Sequence, residues 1–219
     1  MPVPDKLVFG PRLNNNSPVT YGEIRRIKDR KLQIKYLKRR IDQFFIYQTS
    51  PLYKNENNEV NVKSVFPLAL LTCVGVETLG QIVINENKDA SSYQFTQILN
   101  LFDKRFSRTL PKKMKQRLLN SLGDYDKTKV KTISDLIHSY FRNTMVHGYR
   151  GRWVFLSVEL KDNWTFDEST GFIVIQPIWF WETFLKIYED IFNELLKGKN
   201  ENHKYFKSCE KYIDKLLFN

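Results

Sequence analysis

Apolar and polar positions alternate with helical spacing over most of the chain. Thr20-Tyr-Gly-Glu23 has the form of a capping box. It predicts a long helix running to about Phe45, with Ile27, Ile34 and Ile41 seven apart and Leu37 and Phe44 interleaved as an apolar seam. Residues 1–18, rich in Pro and Asn, read as an arm or loop, and "TSPLYKNENNEVN" as a polar loop. A second helix is predicted over 62–86, apolar nearly all round and therefore central. "NENKDASS" breaks it, a third helix covers about 91–105, and Pro111 opens a short fourth. A fifth should run from Thr132 to His147, with Ile133, Leu136, Ile137, Tyr140, Phe141 and Met145 as its core stripe and Gly148 as its stop. Asp135, His138, Ser139 and Arg142 then project from the other side. "RWVFLSVEL" and "FIVIQ" read as strands joined by the turn-rich "KDNWTFDESTG", which predicts a β-hairpin near 152–177. Pro177 opens a helix to about Leu196, and a last helix follows near 203–217. The expected fold is mainly α: a helical bundle with a small late β-hairpin and a long basic N-terminal helix. Residues 1–61 form the arm and long helix packed on the core, and 62–219 form the bundle.

Composition adds a charge argument. The 219 residues carry a formal net charge of +11, which favours polyanionic partners, chiefly nucleic acid or an anionic membrane, or else a surface kept soluble by self-repulsion. The excess is clustered: Arg25, Arg26, Lys35, Lys38, Arg39 and Arg40 lie on the first predicted helix, and Lys112 and Lys113 lie in a second group with Arg105, Arg108, Lys115 and Arg117. The first helix could equally hold an acidic partner. Cys73 and Cys209 are far apart and have no metal-ligand spacing, so neither a disulfide framework nor a metal site is expected, and the cytoplasm is the expected location. The N-terminal stretch has no signal pattern. "FPLALLTCVGVETLGQIVI" approaches membrane-spanning length, but Glu77 and Gln81 within it favour a buried core helix, so no membrane partner is expected. Nothing resembles a phosphate-binding loop, a dinucleotide fingerprint or a zinc site, and no cofactor is expected.

The candidate chemistry lies in "RNTMVHG": Arg142, Asn143 and His147, ended by Gly148. A helix C-terminus favours a protonated imidazole at His147. On a regular helix Arg142 and His147 would stand about 140° apart, so a shared site needs an irregular helix end or residues from two chains. Glu77 is the one charge in its long apolar helix, and a buried carboxylate calls for a partner. Either it pairs with Arg142 or lines the same cleft, or its face reaches solvent. His138 and Asp135 could extend that cleft or form a solvated face. His203 lies in a polar loop, and Trp179, Phe180 and Trp181 read as core or dimer interface.

The string "RNTMVHG" resembles the hallmark of the HEPN (higher eukaryotes and prokaryotes nucleotide-binding) domains: Arg, then Asn, then His, often followed by Gly. The resemblance is specific over about ten residues and extends loosely over 62–196. It implies a helical bundle, often a homodimer, in which two Arg–His pairs meet at the dimer axis to form a metal-independent endoribonuclease, here a toxin or defence effector. RNA supplies its own nucleophile, the ribose 2′-OH. His147 can act as base or acid, Arg142 can bind the phosphate in bidentate fashion, and Asn143 can orient either. The alternatives are a non-catalytic RNA- or nucleotide-binding module, or a helix end with cationic trim. "RNTMVHGY" also resembles the Arg-x4-His-x-Tyr form of toxins whose nucleotidyltransferase antitoxin attaches AMP to the tyrosine, here Tyr149. This chain is longer than those toxins, and its Arg150-Gly151-Arg152 leads toward β-structure. The other reading is that Tyr149 packs after the helix stop.

Overall fold

A computed structural model describes residues 3–54, 59, 64–84, 90–121, 130–142, 153–197 and 204–218. The fold is mainly α with two small sheets. The first departs from the expected loop. Val8–Pro11 (β1) and Pro18–Thr20 (β2) pair antiparallel, and Phe9 and Val19 enter the core. One proline in each strand, Pro11 and Pro18, hides strand character from pattern reading, yet proline is tolerated in an edge strand.

The predicted long helix is broken. Thr20 and Glu23 form the expected capping box on α1, Tyr21–Arg25. Asp29 then caps a new helix, α2, Arg30–Ile41, by accepting from the backbone of Lys31 and Leu32. A π-helical turn, Asp42–Ile46, comes next, and α3 covers Tyr47–Tyr53. The seam is kept through Ile34 and Leu37, which are buried, but the wide turn swings Phe44 outward to 56 % exposure.

The predicted apolar helix is α4, Val65–Val83, and it is the central element. It packs against α3, against α5 (Ala90–Phe102), and against two C-terminal helices, α8 (Pro177–Lys197) and α9 (Lys204–Phe218). Two glycines let it be approached closely. A Cβ at Gly75 would stand 2.6 Å from Phe184, and one at Gly80 would stand 2.7 Å from the carbonyl oxygen of Gln94. At Gly80 the neighbour is backbone and cannot rotate away, so α4 and α5 would have to separate. Gly80→Ala is expected to lower stability by about 1–3 kcal/mol, the usual range for overpacking. Urea unfolding at constant m-value would show it.

After α5 a 3-10 turn, Lys104–Ser107, leads to α6, Lys112–Ser121. The predicted fifth helix opens on a second capping box, Thr132 with Asp135. Among the described residues of this stretch Ile133–Ile137 (α7) is α-helical, and His138–Arg142 continues as a π-helical turn. The rest of the predicted helix, with its Met145 and its Gly148 stop, lies outside the described residues.

The expected late hairpin is a three-stranded sheet. Val154–Leu156 (β3) and Ile173–Ile175 (β5) are the two predicted strands, but they run parallel. The antiparallel partner of β5 is Trp164–Phe166 (β4), within the segment read as a turn. Strand order is β3-β5-β4, so the chain visits the far edge before closing the middle. Parallel neighbours cannot be joined by a tight turn, and β4 lies within the connection between them. The buried hydrophobic residues, from Phe9 to Leu217, form one cluster.

Candidate functional site

Arg142 ends the π-helical turn after α7 and meets Glu77 on α4. Its Nε donates to Glu77 Oε2 at 2.9 Å and its terminal amine to the same oxygen at 2.5 Å. Both side chains are largely covered, Glu77 at 14 % and Arg142 at 23 % exposure. Of the readings open for Glu77, the structure shows the ion pair. Two of the five guanidinium donors are engaged in this pair, which fixes the plane of the group. Cys73 lies one turn before Glu77, fully buried, and burial pushes its thiol well above the usual range. It is a packing residue here.

His138 corrects the expectation of an outward-facing side. It is 6 % exposed, and its ring stands 5.0 Å from Phe95. Among the described residues its Nε2 has no hydrogen-bond partner. Burial lowers its pKa, and the charge of Arg142 lowers it further, against the opposite pull of Glu77 and Asp135. Asp135 is likewise not a cleft residue: it accepts from the backbone N–H groups of Lys131 (3.0 Å) and Thr132 (2.9 Å), completing the cap. His138 lies one turn after Ser134, which is also buried, so this face of the stretch is covered as well as the apolar stripe.

A histidine held neutral in the fold but protonated on unfolding makes stability depend on pH. Because its folded pKa lies below the unfolded value near 6.5, this contribution is complete above pH 6.5 and is lost as pH falls from there toward the folded value. Urea midpoints at pH 7.5 and 5.5 should therefore differ more for the natural chain than for His138→Phe. Equal differences would show that His138 does not titrate on unfolding.

Asn143, His147, Tyr149 and His203 lie outside the described residues. The basic residues of the first predicted helix divide into two groups. Arg25 donates to the Leu217 carbonyl at 2.6 Å, pairs with Asp5 and reaches the Val3 carbonyl. Lys38 bridges Asp42 (3.1 Å) and Glu189 (2.8 Å) and stands over the Tyr188 ring. Arg40 donates to the Phe9 carbonyl and stands over the rings of Phe9, Tyr21 and Phe44. These three tie the N-terminal elements to one another and to α8 and α9, so their charges are engaged within the fold. Arg39 bonds Asn16 at 3.1 Å, while Arg26, Lys35, Lys112 and Lys113 are exposed and remain on the surface. Phe180 and Trp181 are core residues, and Trp179 packs against that core. Among the described residues no group of three His, Cys, Asp or Glu side chains could hold a metal ion.

No protein-family model, curated protein or solved structure matches this chain.

Proposed function

We propose that the chain is a HEPN-like bundle and acts as a metal-independent endoribonuclease, working as a cytoplasmic homodimer in a toxin or defence role. The observation that carries this reading is the Glu77–Arg142 pair. The sequence string "RNTMVHG" starts at an arginine whose plane is fixed by a carboxylate from the central helix. A guanidinium already oriented needs little reorganisation to meet charge developing on a phosphate. In the proposed reaction the ribose 2′-oxygen attacks phosphorus as His147 of one chain takes its proton. The bond from phosphorus to the 5′-oxygen breaks, and that oxygen takes a proton from the second histidine of the dimer. The products are a 2′,3′-cyclic phosphate and a free 5′-hydroxyl. Asn143 orients the histidine or a phosphate oxygen, and Tyr149 offers a place where a nucleotidyltransferase-type regulator would act by adding bulk and charge.

The test is incubation with total RNA in EDTA, with sedimentation of the same sample. Discrete fragments from a dimer are expected. A mobility shift without fragments would favour the binding-module alternative, and neither result would remove both.

A further inference from the structure

A cleft of about 400 Å³ lies between the 3-10 segment after α5 and the three-stranded sheet. This size falls within the range of small-ligand sites. Arg105 and Arg108 line it from the segment after α5, and Asp162, Asn163, Trp164 and Glu168 line it from the sheet side. Arg105 is already committed. Its Nε and terminal amine donate to Asp103 at 2.9 and 2.6 Å, Trp164 Nε1 donates to the same carboxylate at 3.0 Å, and the guanidinium carbon stands 4.8 Å over the Trp164 ring. The ring's packing with Phe106, centroids 4.4 Å apart, backs this arrangement. Arg105 is thus a neutralised, fixed planar surface in the wall of the cleft.

The remaining polar groups have a definite polarity. Arg108, Asp162, Asn163 and Glu168 are exposed, and among the described residues their side chains have no hydrogen-bond or ion-pair partner. With Asp103, and more weakly Asp162, acting on Arg105, the cleft carries Arg108 as its unpaired cation and Asp162 and Glu168 as exposed carboxylates. A simple polyanion does not match that. A ligand that does has an anion at one end, a flat middle, and N–H donors at the other.

We propose that this cleft binds a single nucleotide with an amino-bearing base: its phosphate on Arg108, its ring against the Arg105 guanidinium, and its exocyclic amine toward Asp162 and Glu168. Cytosine N4 and guanine N2 carry such donors, and acidic side chains accept from them; uracil presents a carbonyl oxygen where cytosine has the amine. Unpaired bases in RNA are read in this way, by stacking on rings or guanidinium planes and by hydrogen bonds to the base edge. The proposal rests on the ribonuclease reading of the chain. Ile133 lines the cleft and its N–H donates to the Arg108 carbonyl at 3.1 Å. The cleft therefore adjoins the start of the helical stretch that reaches Arg142 about 13 Å further on, and would hold a nucleotide of the same strand away from the scissile one.

Calorimetric titration of the full chain with cytidine and uridine 5′-monophosphates tests this directly. The two ligands differ on one base edge, where uracil carries O4 and an N3–H in place of cytosine's amine and unprotonated N3. Cytidine monophosphate is expected to bind about tenfold or more tighter, on the scale of a good base contact. The double variant Asp162→Asn/Glu168→Gln should erase the preference, and Arg108→Gln should make cytidine monophosphate bind no better than cytidine. Equal affinity for both nucleotides in the natural chain, or unchanged binding in Arg108→Gln, would overturn the proposal. Competition by a short oligocytidylate places the nucleotide within a strand. Nucleotide binding without such competition would overturn the RNA placement and leave a free nucleotide as the ligand. Arg142→Ala should keep the cytidine monophosphate affinity. Loss of RNA cleavage by the natural chain with the cleft still selective would remove the ribonuclease reading alone.

Discussion

Arg142→Ala is expected to lower single-turnover RNA cleavage by about 10²–10³-fold, the range seen when one preorganised donor to a transition-state oxyanion is removed. The substitution also strips Glu77 of its partner, so part of any loss can come from the fold. Two companions separate the effects. His147→Ala leaves the Glu77–Arg142 pair intact and should lose activity to a similar or greater degree. Arg142→Lys keeps a cation near Glu77 but cannot present two parallel donors to a phosphate, so it should fall well below the natural chain while retaining its melting temperature. All of this should persist in EDTA. A folded Arg142→Ala that cleaves as fast as the natural chain removes Arg142 from the cleavage site.

The elements visible in the pattern are those with a long period. α4, α8 and α9 declare themselves through extended apolar faces, and Thr20 with Glu23 declares the first cap. Short elements did not announce themselves. Trp164–Phe166 offers three residues of alternation inside a polar segment, too few to outweigh the Asp, Ser and Gly around them. The sheet's parallel pair then arises from a tertiary arrangement that no local signal encodes. Both π-helical turns escaped for a different reason: a one-residue widening leaves composition untouched and shows only as a phase slip, such as Phe44 turned outward. Charge was legible as a sum but not as a surface. Counting Arg25, Lys38 and Arg40 as available cations overlooked the acidic groups and carbonyls they hold. Glu77 was legible as a question, because one carboxylate in an apolar helix demands a partner; Arg142 stood among the readings, and choosing it over a solvent-facing side needed the fold.

That partner predicts the largest change in stability. Glu77→Leu would leave Arg142 largely covered and without the carboxylate that accepts two of its hydrogen bonds. Hydrogen bonds to charged groups contribute about 1.5–3 kcal/mol, and breaking a fully buried pair costs about 3–5 kcal/mol. With both groups still in partial contact with water, a loss of about 2–3 kcal/mol is expected in urea unfolding. Removing both charges should behave differently. In Glu77→Leu/Arg142→Met no charge remains to be desolvated, and the added apolar surface meets Cys73 and the rest of the α4 packing, so stability should return close to that of the natural chain. The cycle of the two single variants and the double then gives the coupling, expected at about 1–3 kcal/mol and weakly dependent on salt. A coupling below about 0.5 kcal/mol, removed by salt, would mark the pair as an ordinary solvated contact. The double variant also separates structure from chemistry: as stable as the natural chain, it should cut no RNA, because the arginine that stabilises the phosphate has gone while the fold that carried it has not.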